Sequence, residues 1–427
     1  MRELIGRAGI RSRLQLGPNL TPSPPAVQQF AAALASRFES SGVVTVGGRR
    51  ALLGLAGTPH RSTVVCSSVA GAGSLPAPLL RALARAADRA SVMVVTAPDP
   101  QRGGDPSGWP LDELVGRLAD HGMTVEFSGY AARAADPPLR TWGVAVVSGA
   151  STPPPEAAPA AFRVCAIVPC FNERDVIAAT VGRLVDQGIE VVVVDNESTD
   201  GSAELVRERF GADRVTVETW GTEGTYHLAS LMGRIERLAA AHPADWIVLQ
   251  DADEVRESPW PGVSLRDGLW TMQQRGFNAV DHTVVNFEPV AGDTFTEGDP
   301  AAALLHFDFG RHRGYFHQIR AWRNAGPVTL VPSGGHDAVF DGRRVAPYKF
   351  LLRHYPIRSQ EHGLRKVLAE RQPRFHPEDR ARGWHFHYDD IDEERNFLGN
   401  PEMLFRWDDA AFPREHLIER LTGVGLI

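Results

Sequence analysis

Short runs of apolar, β-branched residues alternate along this chain with longer stretches in which apolar positions recur every three or four residues. The first rhythm is that of strands buried in a sheet, and the second that of amphipathic helices. In the N-terminal part, Ser62–Ser67 (STVVCS), Ser91–Thr96 (SVMVVT), Met123–Phe127 and Trp142–Val147 read as strands. Ala77–Arg89 and Leu111–His121 read as helices, and Ala97-Pro98-Asp99-Pro100 as a turn. The C-terminal part opens on the strand Arg163–Pro169 (RVCAIVP), followed by a helix over Asp175–Gln187. Glu190–Asp195 (EVVVVD) is a continuous β-branched run, the pattern of a parallel strand covered on both faces. A helix over Ser202–Phe210, a strand over Arg214–Glu218, a helix over His227–Ala241 and a strand over Asp245–Gln250 (DWIVLQ) complete the series.

Between these two parts lies Gly149–Ala161, GASTPPPEAAPAA, which holds neither a helix nor a central strand and reads as an extended linker. The expected organisation is a small α/β domain over 1–148, a linker over 149–161, a larger α/β domain over 162–390 and a C-terminal extension over 391–427. A length of 427 residues suits two domains. In a doubly wound sheet ligands bind at the carboxyl ends of the strands. Those ends carry Asn172 and Glu173, then Asp195 and Asn196, then Asp251 and Asp253.

Composition narrows the partners. With 45 basic against 52 acidic residues the chain has a net charge of −7, which argues against a general nucleic-acid binder. Cys66, Cys165 and Cys170 are too few and too scattered for a disulfide framework and read as small buried side chains. The basic N-terminus MRELIGRAGIRSRLQLGPNL has no continuous apolar run, and no stretch reaches the roughly 20 apolar residues of a membrane span. The cytoplasm is the expected location, and work on a lipid-linked acceptor would be done as a peripheral protein at the inner face of the membrane.

Three polar segments carry candidate chemistry. Asp251-Ala252-Asp253 places two carboxylates around a small residue straight after a buried strand. Hard oxygen ligands of this kind suit Mn2+ or Mg2+, and a cation there can bridge the phosphates of a nucleoside diphosphate. The plain alternative is a solvated acidic turn. Pro169-Cys170-Phe171-Asn172-Glu173 ends the first strand, where polar groups can meet a nucleobase or ribose or simply cap the next helix. Asp195-Asn196-Glu197-Ser198-Thr199-Asp200 ends the second, with Asp195 as an acceptor for a base or ribose and Ser198 or Asp200 as a cap.

In this order, PCFNE, VVVVDNESTDGS and LQDADE resemble the family 2 glycosyltransferases of the GT-A fold over Arg163 to about Pro259. Asn196 and Glu197 depart from that family's usual residues but keep the loop polar. The resemblance implies inverting transfer from a nucleoside-diphosphate sugar to an acceptor hydroxyl, of hexosyltransferase type. It implies that Asp195 contacts the nucleobase, and that Asp251 and Asp253 of the DXD motif surround metal and diphosphate. The acceptor class stays open among glycan, lipid-linked and protein hydroxyls. Residues 42–147 loosely resemble the C-terminal half of a class I methyltransferase-like domain, on Val64–Ser68, Leu75–Leu80, Val94–Asp99 and Trp109–Gly122. The glycine pattern Gly42–Gly48 is the wrong one for a cofactor cradle, so a non-catalytic role is expected there.

Beyond Pro259, Phe277–Phe287 reads as a strand, Ser333-Gly334-Gly335-His336-Asp337 as a glycine-rich turn, and Leu351–Ser359 as LLRHYPIRS. The last two blocks resemble the tails of bacterial family 2-like and family 92-like transferases. Such enzymes often draw a third metal ligand from a downstream histidine, which points to His354 and His336. Arg358, Lys366 and Arg371 are candidate diphosphate clamps, against the alternative of a solvated helix face over Gln360–Arg371. A carboxylate must take the acceptor's proton. Asp337 is the first candidate, with Glu288 and Asp281 behind it. The competing readings are a nucleotidyltransferase and a nucleotide-sugar or glycan binding protein without turnover.

Overall fold

The computed structural model describes residues 42–45, 63–67, 77–88, 92–98, 110–132, 141–149, 154–308, 318–346 and 349–408. Val46, Gly47, Gly48, Leu75, Asp99, Pro100, Trp109, the basic N-terminal stretch and the tail from 409 onward lie outside them. Among the described residues, no helix is long and apolar enough to cross a membrane.

The first sheet has the order β1-β2-β3-β5-β4, built from β1 (Gly42–Thr45), β2 (Thr63–Ser67), β3 (Val92–Pro98), β4 (Thr124–Ala132) and β5 (Thr141–Ser148). Strands β1 to β3 are parallel, and β5 runs antiparallel to both its neighbours. Helices α1 (Ala77–Ala87) and α2 (Leu111–Ala119) bury Leu80, Leu83, Leu114 and Leu118 alongside Val95 and Val147. Ala97 and Pro98, expected in a turn, extend β3 and pair with Gly143 and Trp142. Proline is tolerated there because β2 pairs with β3 only as far as Val95, so Pro98 has a partner strand on one side alone.

The linker's second half is docked. The Ala158 amide donates to Asp267 Oδ1 at 2.8 Å, and Arg266 Nη2 donates to the Pro159 carbonyl at 2.6 Å. Both partners lie on α6 (Leu265–Gln274).

The second sheet has six strands in the order β11-β14-β9-β6-β7-β8, where β11 is Ala279–Val280 and β14 is Ala321–Arg323. Its centre is β6 (Val164–Cys170), β7 (Glu190–Asp195), β8 (Val215–Thr219) and β9 (Trp246–Leu249), all parallel. Alternate residues of these strands enter two cores. Val164, Ala166, Val168, Val191, Val193 and Val248 pack with α3 (Arg174–Asp186) and α6, while Cys165, Ile167, Val194, Ile247 and Leu249 pack with α5 (Leu228–Ala241). Burial on both faces is why β6, β7 and β9 are largely apolar instead of alternating, whereas β8 at the sheet's edge alternates, as VTVET. Cys165 and Cys170 are buried free thiols, and burial pushes Cys165 up to about 12.

Because β6 lies between β7 and β9, the chain changes direction around it. The gap between the carboxyl ends of β6 and β9 is the crevice such a topology offers to a ligand. Directly after β9 the chain crosses into a third sheet, with the order β10-β15-β12-β13-β16. It comprises β10 (Glu254–Glu257), β12 (His282–Phe287), β13 (His306–Asp308), β15 (Phe350–His354) and β16 (Phe405–Arg406). The expected strand over Phe277–Phe287 is split: β11 (Ala279–Val280) belongs to the second sheet with β14 (Ala321–Arg323), and β12 belongs to the third. The break is Asp281, whose Oδ1 accepts from the amides of His282 and Gln318, each at 2.8 Å. The third sheet also takes in residues beyond 390. Phe405 pairs with Phe307, and Trp407 is buried against Phe287 and Phe307.

Candidate active site

The crevice opens into a cavity of about 570 Å³. Pro169, Phe171, Glu173, Asn196, Asp251 and Asp253 line it, joined from far along the chain by His336, His354 and Lys366. Asn172 and Asp195 stand just behind. Asn172 holds the turn, at φ 51°, by accepting from the Thr199 amide at 2.8 Å and donating to Glu370 at 3.2 Å. Asp195 Oδ2 accepts from the Ser198 amide at 3.3 Å, while its Oδ1 is buried with no hydrogen-bond partner among the described residues. Neither Ser198 nor Asp200 is the N-cap of α4 (Ser202–Arg209), which is Gly201 at φ 85°; Asp200 stands one residue earlier and accepts from the Ser202 amide at 2.9 Å.

Register explains why distant residues meet here. Antiparallel pairing of β10 with β15 sets His354 opposite Glu254, and parallel pairing of β15 with β12 sets Asn286 beside His354. The chain then returns to the site. The Tyr355 amide donates to the Asp253 carbonyl at 2.8 Å, α7 (Gln360–Leu364) follows, and a π-helix covers Arg365–Arg371. A π-turn is wider than an α-turn and is common at functional sites. This one presents Lys366, Glu370 and Arg371 to the cavity, so the solvated face expected over Gln360–Arg371 is instead partly buried.

Lys366 Nζ lies 2.7 Å from Glu173 Oε1 and 2.8 Å from Asp253 Oδ2, with its side chain 6 % exposed. Arg358 departs from its expected role. It is 1 % exposed and does not line the cavity. Its guanidinium donates to Glu173 Oε2 at 2.7 Å and forks onto Asp175 at 2.6 and 2.8 Å, which makes it a strut behind the site and not a clamp in it. Burial works against its charge, but Glu173 and Asp175 more than offset this. Arg371 does reach the cavity and donates to the Tyr388 hydroxyl at 2.6 Å. Arg374 packs over the Phe171 ring, 3.4 Å from its centroid, and donates to Asn196 Oδ1 at 3.2 Å.

The two aspartates of the motif have different partners. Asp251 receives a fork from Arg320, at 2.7 and 2.8 Å. Asp253 is bonded to Lys366, and its Oδ1 lies 3.8 Å from His354 Nε2. Burial alone would raise the Asp253 carboxyl, yet Lys366, His354 and Arg358 hold it far below the usual carboxylate range. His354 Nδ1 is 3.1 Å from Asn286 Oδ1, a contact that orients the ring. One oxygen and one imidazole nitrogen 3.8 Å apart can both reach a single divalent ion, and this donor pair suits Mn2+. Asp253 and His354 therefore fit a cation. His336 lines the cavity with its Nδ1 2.8 Å from Gln318 Nε2, so that nitrogen is engaged by an amide.

Among the described residues, the group of three possible ligands that does converge is His227, His376 and Glu378, within 4.8 Å of one another. The two imidazoles are stacked with planes 6° apart, so their in-plane lone pairs run in parallel planes and do not meet at a point.

Asp337 is not brought to the cavity. Its carboxylate is paired with Arg343, and it is absent from the lining. Asp281 is buried against Lys349, and Glu288 also lies outside the lining. Glu370 does line it, half-buried, and burial raises its carboxyl above the usual range despite the Asn172 hydrogen bond. Neither Glu370 nor Arg320 carries a local sequence signal.

Residues 165–260 match the family model described as glycosyl transferase family 2. No curated protein matches the chain. Among solved structures, the chain is similar to S. aureus TarS 1-349, at 12% identity over 45% of this chain and 60% of that one, with a TM-score of 0.28. The same protein in complex with UDP gives 13% identity, 48% and 63% coverage and a TM-score of 0.28. Glucosyl-3-phosphoglycerate synthase from Mycobacterium tuberculosis, in complex with Mn2+, UDP and glucosyl-3-phosphoglycerate, gives 20% identity, 29% and 45% coverage and a TM-score of 0.20. The chain spans less than two thirds of the length of each of these structures.

The buried charges behind the site make stability depend on pH. His282 and His362 are buried, and burial followed by neighbouring cations depresses both pKa values, with Arg256 foremost at His282 and Arg358 at His362. Both are neutral when folded and become protonated near pH 6.5 when unfolded. Their contribution is therefore complete above about pH 6.5 and is lost as pH falls, at about 1.4 kcal/mol per pH unit for each histidine. Denaturant midpoints should fall on acidification from neutral pH, and His362→Gln should flatten that dependence. A midpoint independent of pH across this range would contradict the assignment.

Proposed function

Residues 165–260 belong to glycosyl transferase family 2, and from that premise we propose that the protein is an inverting glycosyltransferase that moves a sugar from a nucleoside diphosphate to an acceptor hydroxyl with the help of a divalent cation. The observation that carries this reading is the convergence of Glu173, Asp251, Asp253, His354 and Lys366 at the carboxyl ends of β6 and β9. A binding module would not need a preorganised set of paired charges around an acidic cation site. A nucleotidyltransferase would be expected to carry a glycine-rich basic loop after its first strand, where this chain has PCFNE.

The buried, unpartnered Oδ1 of Asp195 calls for an N–H donor, which a uracil or guanine base supplies. Phe171 and Arg374 form a flat cationic wall beside it. Lys366 and Arg371, both in the cavity wall, would receive the diphosphate oxygens in exchange for part of their present pairing. Asp253 and His354 are the residues that would hold Mn2+ or Mg2+, which when bound supplies positive charge against the diphosphate. In the reaction, the acceptor oxygen forms its bond to the anomeric carbon as the bond from that carbon to the diphosphate oxygen breaks. The nucleoside diphosphate leaves with the electron pair, and the acceptor's proton passes to a carboxylate. Glu370 fits this last role better than Asp337, because it faces the cavity and its raised pKa lies nearer to neutrality.

Two measurements test the proposal. UDP or GDP should raise the melting temperature in the presence of Mn2+ and less in its absence. If no nucleotide shifts melting under any condition, the donor site assignment fails. Glu370→Gln should reduce transfer by roughly 10²- to 10⁴-fold while nucleotide binding survives. Unchanged turnover in that variant would return the proton acceptor to another carboxylate.

A further inference from the structure

Arg320 enters the site from the strand next to β9. The Leu249 amide donates to its carbonyl at 2.8 Å, and β14 begins at the next residue. Its guanidinium is almost buried, at 5 % exposure, whereas the Asp251 side chain it grips is 38 % exposed to the cavity. Nη1 and Nη2 donate to the two oxygens of Asp251, and Nη1 also reaches Glu254 Oε1 at 3.3 Å. Glu254 Oε2 in turn accepts from the Asp251 amide at 3.1 Å and from Arg256 Nη2 at 2.6 Å. Buried Glu254 thus secures Asp251 twice, through its backbone and through Arg320.

A fork of two charge-assisted hydrogen bonds fixes both the position and the plane of a carboxylate. It also matches the carboxylate's charge, which is what a divalent cation would otherwise attract. Asp253 is held differently. Lys366 takes one of its oxygens, while the other faces His354. We infer that Arg320 is a positioning residue that divides the two aspartates of the motif between separate tasks. It keeps Asp251 off the cation and oriented as a hydrogen-bond acceptor for the donor, and leaves cation binding to Asp253 and His354. The donor half of this inference rests on the transferase reading, whereas the cation half does not.

The test is Mn2+ titration of the full chain by calorimetry, alongside donor kinetics. In Arg320→Met the released Asp251 carboxylate can turn towards the cation, so Mn2+ should bind roughly ten-fold more tightly. The gain should vanish in Arg320→Met combined with Asp251→Asn. Arg320→Lys keeps the charge but not the fork. It should leave Mn2+ affinity within about two-fold while raising the donor KM roughly ten-fold, the loss of about one charge-assisted hydrogen bond. A merely structural arginine would not tighten metal binding when removed. Unchanged or weaker Mn2+ binding in Arg320→Met, a gain that persists in the double variant, or no Mn2+ binding by the wild type overturns the inference. Should Arg320→Met fail to fold, Arg320→Lys decides alone, and an unchanged donor KM there overturns it. Absence of turnover in the wild type would instead count against the transferase reading, with the Mn2+ titration still deciding the cation half.

Discussion

The Lys366 ammonium lies between Glu173, which follows β6, and Asp253, which follows β9. These are the two strand ends that flank the crevice, and the lysine comes from a helix more than a hundred residues further on. Two carboxylates this buried would repel each other and lose their hydration without a cation between them. The lysine answers both costs, and it does so in the wall of the cavity, where a negatively charged ligand can compete for it. Arg358 sits behind and grips Glu173 and Asp175. Removing either cation would leave a buried carboxylate short of a partner, the situation that costs most among buried ion pairs.

That arrangement depends on a crossing of sheets. Asp251 to Asp253 fill the step between β9 of the second sheet and β10 of the third. A motif at such a step is reached from both sides. The second sheet supplies Glu173 and Arg320, and the third supplies His354 through its register with β10. The parallel pairing of β12 with β15 adds Asn286 behind the histidine. Side chains carried by two different sheets thus meet over these three residues.

Much of this is legible in the amino-acid sequence, because it is local. Strands such as EVVVVD announce their burial through composition, and the polar residues that follow PCF, VVVVD and WIVLQ are placed by the parallel sheet itself. What stays hidden depends on long-range register. Arg320 and Glu370 have no motif around them, and only their pairing with Asp251 and Asn172 marks them out. Arg358 misleads for a related reason. A cluster of cations in a sequence does not distinguish one that faces a ligand from one that is used up on Glu173 and Asp175. Asp337, beside its glycine turn, has the right chemistry for a base but is held by Arg343 outside the cavity. The strand expected over Phe277–Phe287 is apolar enough to be continuous, and it is Asp281 that divides it between two sheets.

The central claim is that this cavity breaks the bond between a sugar and a nucleoside diphosphate. It is tested most directly by incubating the protein with a panel of UDP- and GDP-sugars and Mn2+, and measuring release of the nucleoside diphosphate. The account predicts slow release from at least one donor by the wild type, and none above background from Asp253→Asn. Release from no donor, or equal release by the wild type and Asp253→Asn, would contradict it.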